Sequence, residues 1–357
     1  MSILAYTGAR MFDGDNWHDD ATLVIDGARL LAIGAAPPGM PAPAPANGPR
    51  PGGDPAPTFS ILIGLVSTED SDRILETLAS LRAQDGAPRH EVILADRRQD
   101  AVSARIRAEH PEAVLIPCPP GTPLPEMRAI ALDRARGAYV AVTEDHCVPT
   151  RDWLLRMEEA FRAAPAGTAA VGGCVENGVC DTSLDWATFL CEYSGLIAPV
   201  PDGPARALPG MNVAYRRDVL AGLDRALLTS GFWETTVHPV LAARGQVLYS
   251  ANAVRMLHKK RFSFGLFAAQ RFLYSRYYAG RRFGRAEAAR RWAACAMTLA
   301  LPPLLLFRIA RGVLAKRRLR GELASALPHL GVFVLIWAAG EMAGYALGPG
   351  DALSRIE

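Results

Sequence analysis

The stretch FSILIGLVSTEDSDRILETLASLRAQ, residues 59–84, decides the fold class. Ile61, Leu62, Ile63, Leu65 and Val66 form an apolar run without polar alternation, the pattern of a strand covered on both faces. Residues 71–84 then place Ile74, Leu75, Leu78 and Leu81 at helical spacing. The text downstream repeats the unit: strand 91–95, helix 102–108, strand 113–116, helix 125–135 closed by Gly137, strand 138–143. Strand and helix alternating at this short spacing predict an α/β domain with a doubly wound, mostly parallel sheet.

Outward from that core, composition changes sharply. Residues 36–57 hold nine prolines and four glycines with almost no charge, the makings of a semi-rigid spacer. Before it, 3–5, 22–25 and 30–33 read as short strands separated by Asp13-Gly14 and Asp26-Gly27. The expected organisation is a small β-rich appendage over 1–35, a linker over 36–57 and the α/β domain over 58–258. A basic aromatic amphipathic helix over 259–291, membrane-embedded helices over 292–348 and a tail over 349–357 follow.

Half of the 357 residues are apolar and 21% are charged, which excludes wholesale disorder and fibrous classes. A net charge of +3 is too mild to indicate a nucleic-acid binder. Cys118, Cys147, Cys174, Cys180, Cys191 and Cys295 show no C-x-x-C pair and no zinc spacing, so they read as scattered thiols in a reducing compartment. Residues 1–4 carry neither a basic region nor a long apolar stretch, so no signal peptide is expected.

Ligands of doubly wound sheets gather at the carboxyl ends of the strands. Those ends carry Ser67, Thr68 and Glu69, then Asp96, then Glu144-Asp145-His146. Two carboxylates and an imidazole at one strand end repel and desolvate one another unless a cation or solvent compensates. A divalent ion on a diphosphate is one compensation, with Mg²⁺ preferring oxygen ligands and Mn²⁺ accepting imidazole more readily. A solvated acidic turn capping the next helix, near Thr150 and Asp152, is the other.

Five segments in order resemble a family 2 glycosyltransferase with a GT-A fold: SILIGLVSTEDSDRILETLASLRAQ, HEVILADRRQD, EMRAIALDRARGAYVAVTEDHCVPTRDWL, LPGMNVAYRRDVL and GFWETTVHPVLAARGQVLYSANAVRMLH. The resemblance implies a transferase using a nucleotide-diphospho-sugar donor, a hydroxyl acceptor, a divalent metal (Mn²⁺ or Mg²⁺) and inversion at the anomeric carbon. Carried over residue by residue, it places Ser67, Glu69, Asp96, Arg128 and Asp145 at the donor. It places Glu144, Asp145, His146 and His258 at the metal, Glu234 as catalytic base, and Gly210, Asn212 and Trp233 on the acceptor side. The sequence departs from the family pattern in three places: Glu144-Asp145-His146 stands for D-x-D, Trp233-Glu234 for the acidic pair at the base, and Arg97-Arg98-Gln99 for the usual acidic-glycine-serine turn. Those departures also support a second reading, a catalytically weakened sugar-nucleotide-binding or scaffold protein of a glycan assembly complex. His238, four residues past Glu234, is the one other histidine to watch.

Residues 259–291 carry ten Lys or Arg against the single acid Glu287, interleaved with aromatics. Such a stretch suits RNA or an anionic membrane surface; the uncharged run 293–307 and the 21-residue run 327–347 decide for membrane. A buried helical hairpin is the alternative. The loop 308–320, with six basic residues, and the basic stretch before Trp292 both favour the cytoplasmic side. Two full spans would separate them, and Pro302-Pro303 suggests a re-entrant or interfacial first segment instead. With a cytoplasmic nucleotide sugar as donor, the catalytic domain is expected on the cytoplasmic face and the acceptor to be lipid-linked or a growing glycan. Oligomeric state is left open.

Residues 3–34 resemble the β-sandwich opening of amidohydrolase-type deacetylases, without any H-x-H metal motif following. A structural appendage without hydrolase activity is expected there.

Overall fold

The computed structural model describes residues 3–12, 17–26, 29–34, 55–284 and 287–356. The turns Asp13-Gly14 and Asp26-Gly27 and most of the proline spacer fall wholly or partly outside the described residues. The chain divides into two units, Met1–Pro55 and Ala56–Glu357. In the first, β1 (Ile3–Phe12), β2 (Trp17–Asp26) and β3 (Arg29–Gly34) form an antiparallel three-stranded sheet. Leu4 stands opposite Ile25, and Leu23 opposite Ile33.

The second unit is built on β4 (Phe59–Leu65), every residue of which is buried. It pairs in parallel with β5 (His90–Asp96) and β7 (Tyr139–Glu144), and β5 pairs in parallel with β6 (Val114–Pro117). Side chains of β4 alternate between two cores, as a period of two requires. Phe59, Ile61, Ile63 and Leu65 pack with α1 (Arg73–Arg82), α2 (Ala101–Glu109) and α4 (Trp153–Ala163). Leu62 packs with α3 (Leu124–Leu132) on the opposite face. Helices on both faces explain why the strand reads as continuously apolar.

In the other half of the sheet, antiparallel strands join the parallel ones. Past β7 lie β11 (Val213–Arg216), β9 (Thr168–Asn177), β12 (Val247–His258) and β10 (Gly203–Ala205). β11 runs antiparallel to both β7 and β9, and β12 returns parallel to β9. The short β8 (Cys147–Pro149) pairs antiparallel with the end of β12. The sheet is therefore mixed, with its parallel βα half on one side. The result is an α/β unit: a mixed sheet with helices on both faces. α5 (Ser183–Tyr193) packs into the core shared with α1, α2 and α4, while α6 (Arg217–Ala221), α7 (Arg225–Gly231) and α8 (Glu234–Ala243) pack into the one shared with α3.

The C-terminal helices are α9 (Phe264–Arg282), α10 (Ala288–Met297), α11 (Leu301–Ala315), α12 (Arg320–Leu347) and α13 (Ala352–Arg355). The basic stretch 259–291 is thus not one helix: α9 ends at Arg282, and α10 begins only at Ala288. Between α10 and α11, a 3-10 turn over Thr298–Ala300 precedes Pro302 and Pro303, which lack the donors an uninterrupted helix would use. Ala288–Ala315 and Arg320–Leu347 are each long and apolar enough to cross a membrane.

α12 lies along α9 and against α5. α9 and α12 run parallel: Phe267 meets Phe333 at 4.6 Å between ring centroids, and at the other end Arg282 donates to Tyr345 Oη at 3.1 Å. Gly340 and Gly344 permit the contact, since a Cβ on them would stand 2.5 Å from Phe272 O and 2.4 Å from Arg276 O. The turn joining α11 to α12 is pinned as well. Arg318 pairs with both carboxylate oxygens of Glu176 at 2.9 and 3.1 Å, and Lys316 donates to Pro199 O.

Candidate active site

The tip of β7 meets the tip of β4 through Asp145. Its Oδ2 accepts from the backbone N–H groups of Val66 and Ser67, both at 2.9 Å. Its Oδ1 accepts from Ser67 Oγ at 2.6 Å and lies 2.9 Å from His146 Nδ1. Burial alone would raise this carboxyl, but His146, Lys260 and Ser67 hold it well below the usual carboxylate range. Both oxygens have partners within the protein, whereas direct roles at metal and donor were expected of Asp145 and Ser67. They clasp the strand ends and orient His146.

With Nδ1 facing Asp145, the Nε2 of His146 lies 3.1 Å from His258 Nε2 and 3.3 Å from Glu144 Oε2. Cys147 Sγ is 4.0 Å from Glu144 Oε2, and ligand atoms of Glu144, His146, Cys147 and His258 all fall within 4.8 Å of one another. The topology produces this group: β8 stands against β12 with Cys147 opposite His258. Burial pushes Glu144 up, but the hydrogen bond and charge of His146, helped by Arg128, bring it to about 2. Burial pushes His146 down, yet Asp145 and Glu144 raise it to about 9. Burial and the neighbouring His146 charge drop His258 to about 3. A carboxylate and two imidazoles converging from two strand ends, one imidazole oriented by a carboxylate behind it, is a donor set that fits a divalent metal.

Arg128, on α3, crosses the site. It donates to Phe232 O at 3.0 Å and lies 3.4 Å from Glu144 Oε1, tying the tip of β7 to the segment that opens α8. Glu234 is the first residue of that helix. Its half-buried carboxylate lies over Gly210, where a Cβ would stand 2.2 Å from Oε2. Burial raises its pKa; Arg128 opposes the shift, while Glu144 and Glu192 add to it. Glu234 and Glu144 therefore share one side of the molecule.

At the tip of β5, Asp96 is fully buried. Its Oδ1 accepts from the backbone N–H groups of Arg98 and Gln99 at 3.0 and 2.9 Å, and its Oδ2 has no partner among the described residues. A buried carboxylate oxygen with nothing to accept from is costly unless a ligand supplies a donor.

Other expected site residues are placed differently. Asn212 is fully buried and saturated: Oδ1 accepts from Trp153 Nε1 at 2.7 Å, and Nδ2 donates to Cys174 O and Val254 O. It ties α4 to β9 and β12. Glu69 turns away to receive Ser263 N and Oγ at 2.9 and 2.8 Å, at the start of α9. Trp233 packs edge-on against Tyr274 and Tyr277. His238 is a core residue, with Nε2 2.9 Å from Tyr215 Oη and Nδ1 accepting from Leu208 N.

Three residues near the site carry no signal in the sequence. Cys147 reads as one more scattered thiol. Glu192 and Arg271 form a 2.9 Å ion pair, and the Arg271 guanidinium lies 4.1 Å from the Trp337 ring on α12. Only the fold brings these together.

Residues 65–223 match the family model described as Glycosyl transferase family 2. Those residues, a little under half of the chain, form a glycosyltransferase domain similar to that family. The match begins at residue 65, so the resemblance of 3–34 to amidohydrolase-type deacetylases has no support. The chain with this glycosyltransferase domain is similar to the mannosyltransferase PcManGT from Pyrobaculum calidifontis in complex with GDP-Man and Mn²⁺, at 18% identity over 80% of this chain and 87% of that one, TM-score 0.48. It is similar to GalNAc-T7 with UDP, GalNAc and Mn²⁺, at 14% identity over 59% and 45% of the two chains, TM-score 0.44. It is also similar to residues 1–349 of S. aureus TarS in complex with UDP, at 12% identity over 80% and 90%, TM-score 0.42. No curated protein matches the chain.

Proposed function

We propose that this glycosyltransferase is a membrane-associated, metal-dependent, inverting enzyme moving a sugar from a nucleotide-diphospho-sugar to a hydroxyl acceptor. The observation that carries the reading is Arg128, which joins the Glu144 carboxylate to the segment bearing Glu234. Such a link would hold a donor end and a base end of one cleft together.

In this reading the unpaired Asp96 Oδ2 accepts an N–H of the nucleotide base. Glu144, His146 and His258 hold the metal, which when bound offsets the charge developing on the diphosphate. The acceptor O–H attacks the anomeric carbon as Glu234 takes its proton. The bond from that carbon to the diphosphate oxygen breaks, and the nucleoside diphosphate leaves with the electron pair. One displacement from the opposite face inverts the configuration. The raised pKa of Glu234 suits a base that must hold the proton it receives.

The C-terminal helices support a membrane partner. Trp292, Met297, Phe307, Leu335 and Leu347 are exposed, an apolar outer face that water does not favour. The inner face of α12 lies along α9, and the turn between α11 and α12 is held by Glu176. Two helices fixed to the catalytic unit suit a hairpin seated in one leaflet better than a pair of spans. Flanking Arg290, Arg308, Arg311, Arg317 and Arg320 match anionic headgroups. The catalytic unit would then face the cytoplasm, where nucleotide sugars are, with a lipid-linked acceptor or growing glycan within reach.

The experiment is a thermal-shift panel of nucleotide sugars with and without Mn²⁺ on the full chain. A donor that raises apparent stability only with the metal supports the reading, and no response to any nucleotide sugar contradicts it.

A further inference from the structure

The fourth member of the cluster at the tip of β7 is a sulfur. Cys147 is fully buried, and its Sγ belongs to the set of atoms within 4.8 Å of one another formed with Glu144, His146 and His258. Directly opposite residues on neighbouring strands project to the same face, and Cys147 stands directly opposite His258 in the β8–β12 pairing. The thiol therefore belongs to the geometry that places His258 and is not a chance neighbour. His146 is oriented by Asp145 at Nδ1, which leaves Nε2 to face His258 Nε2 at 3.1 Å. Two imidazole nitrogens each about 2.1 Å from one tetrahedral ion stand roughly 3.4 Å apart. The observed spacing is close to that edge.

We propose that Cys147 is a ligand of this metal centre, and that the centre takes a borderline-soft divalent ion such as Zn²⁺ or Co²⁺ in preference to Mg²⁺. The inference rests on the reading of Glu144, His146 and His258 as a metal site and deepens it. One sulfur, two imidazole nitrogens and one carboxylate oxygen form a set that zinc accepts in tetrahedral sites, whereas Mg²⁺ requires oxygen ligands and gains nothing from sulfur. On binding, the S–H bond breaks, its proton goes to solvent and the sulfur lone pair forms the metal–sulfur bond. No oxidant or reductant is involved. A set closed by all four side chains leaves no tetrahedral position for a diphosphate oxygen. Donor binding would require the ion to expand its coordination or to release the sulfur.

The test uses the metal-stripped full chain in detergent, titrated with Co²⁺ and followed by absorption. The proposal expects a near-ultraviolet sulfur-to-cobalt charge-transfer band together with visible d–d bands. In Cys147→Ser the charge-transfer band disappears while the d–d bands remain. In Cys180→Ser, which removes the exposed thiol, both persist. Zn²⁺ should displace Co²⁺ at least about tenfold more effectively than Mg²⁺ does. X-ray absorption of the zinc-loaded native chain needs no variant, and should show one sulfur scatterer at about 2.3 Å. Co²⁺ binding without the charge-transfer band, or a zinc shell of nitrogen and oxygen only, overturns the sulfur assignment and leaves the metal site standing. No Co²⁺ binding at all overturns both.

Discussion

The Nε2 atoms of His146 and His258 lie 3.1 Å apart although 112 residues separate them in the chain. The pairing of β8 with the end of β12 brings them together, and the clasp of Asp145 on Val66 and Ser67 sets the orientation of the first. The site is thus assembled from three strand tips, those of β4, β7 and β12. Replacing Asp145 should act on the metal without removing a ligand, because its oxygens are spent on Ser67, Val66 and His146. Asp145→Asn is expected to weaken metal affinity by about 10- to 100-fold, the usual cost of losing such a backing group. Equilibrium dialysis with Mn²⁺ measures it, and unchanged affinity would contradict the assigned role.

Gly210 should be intolerant of a methyl group for a functional reason. A Cβ there meets only the Glu234 side chain, at 2.2 Å from Oε2 and 3.0 Å from Cδ. The carboxylate can swing away, so Gly210→Ala should fold with little change in Tm. Displacing a reacting group by about 1 Å commonly costs on the order of 10²-fold in rate. The expected outcome is a large fall in kcat with donor KM nearly unchanged.

Asn212 gives the opposite pattern. Its amide makes three buried hydrogen bonds, to Trp153, Cys174 and Val254. Asn212→Ala strands those partners and should destabilise the fold by about 2–4 kcal/mol, read as a lowered denaturation midpoint. Activity per folded molecule should stay close to that of the native chain. An acceptor-binding role would instead appear as a raised acceptor KM at unchanged stability.

His238 makes a pH prediction. Burial lowers its pKa from 6.5 to about 4, so between those values the unfolded chain binds more protons than the folded one. Stability therefore rises with pH through that window and falls on acidification from 6.5 toward 4, by up to about 1.4 kcal/mol per pH unit from this group. Denaturation midpoints of the native chain and His238→Gln, compared from pH 7 to 4, should show a shallower slope in the variant.

Much of the parallel half was legible in the sequence. Phe59, Ile61, Leu62 and Ile63 are buried on both faces of β4, and burial of that kind leaves a continuous apolar run. The antiparallel half was not, because β11 has only four residues and its direction depends on partners more than forty residues away. Motif order singles out Asp96 and Glu234, yet their environments, an unpaired oxygen and a contact with Gly210, exist only in three dimensions. The hydrogen bonds of Asp145 left no trace in the sequence, since the amides that occupy it come from 78 and 79 residues earlier. Hydropathy exposed the two long apolar helices. The Arg318–Glu176 pair, which fixes their turn beside the catalytic unit, has no signature in composition.

The central claim is that Glu234 takes the acceptor proton in a cleft shared with Glu144, His146 and His258. The most direct measurement is sugar transfer by purified full-length protein and by Glu234→Gln, with donor binding followed in parallel. The account predicts a rate loss of about 10²- to 10⁴-fold with metal-dependent donor binding retained. Transfer by Glu234→Gln at the native rate, with binding intact, would contradict it.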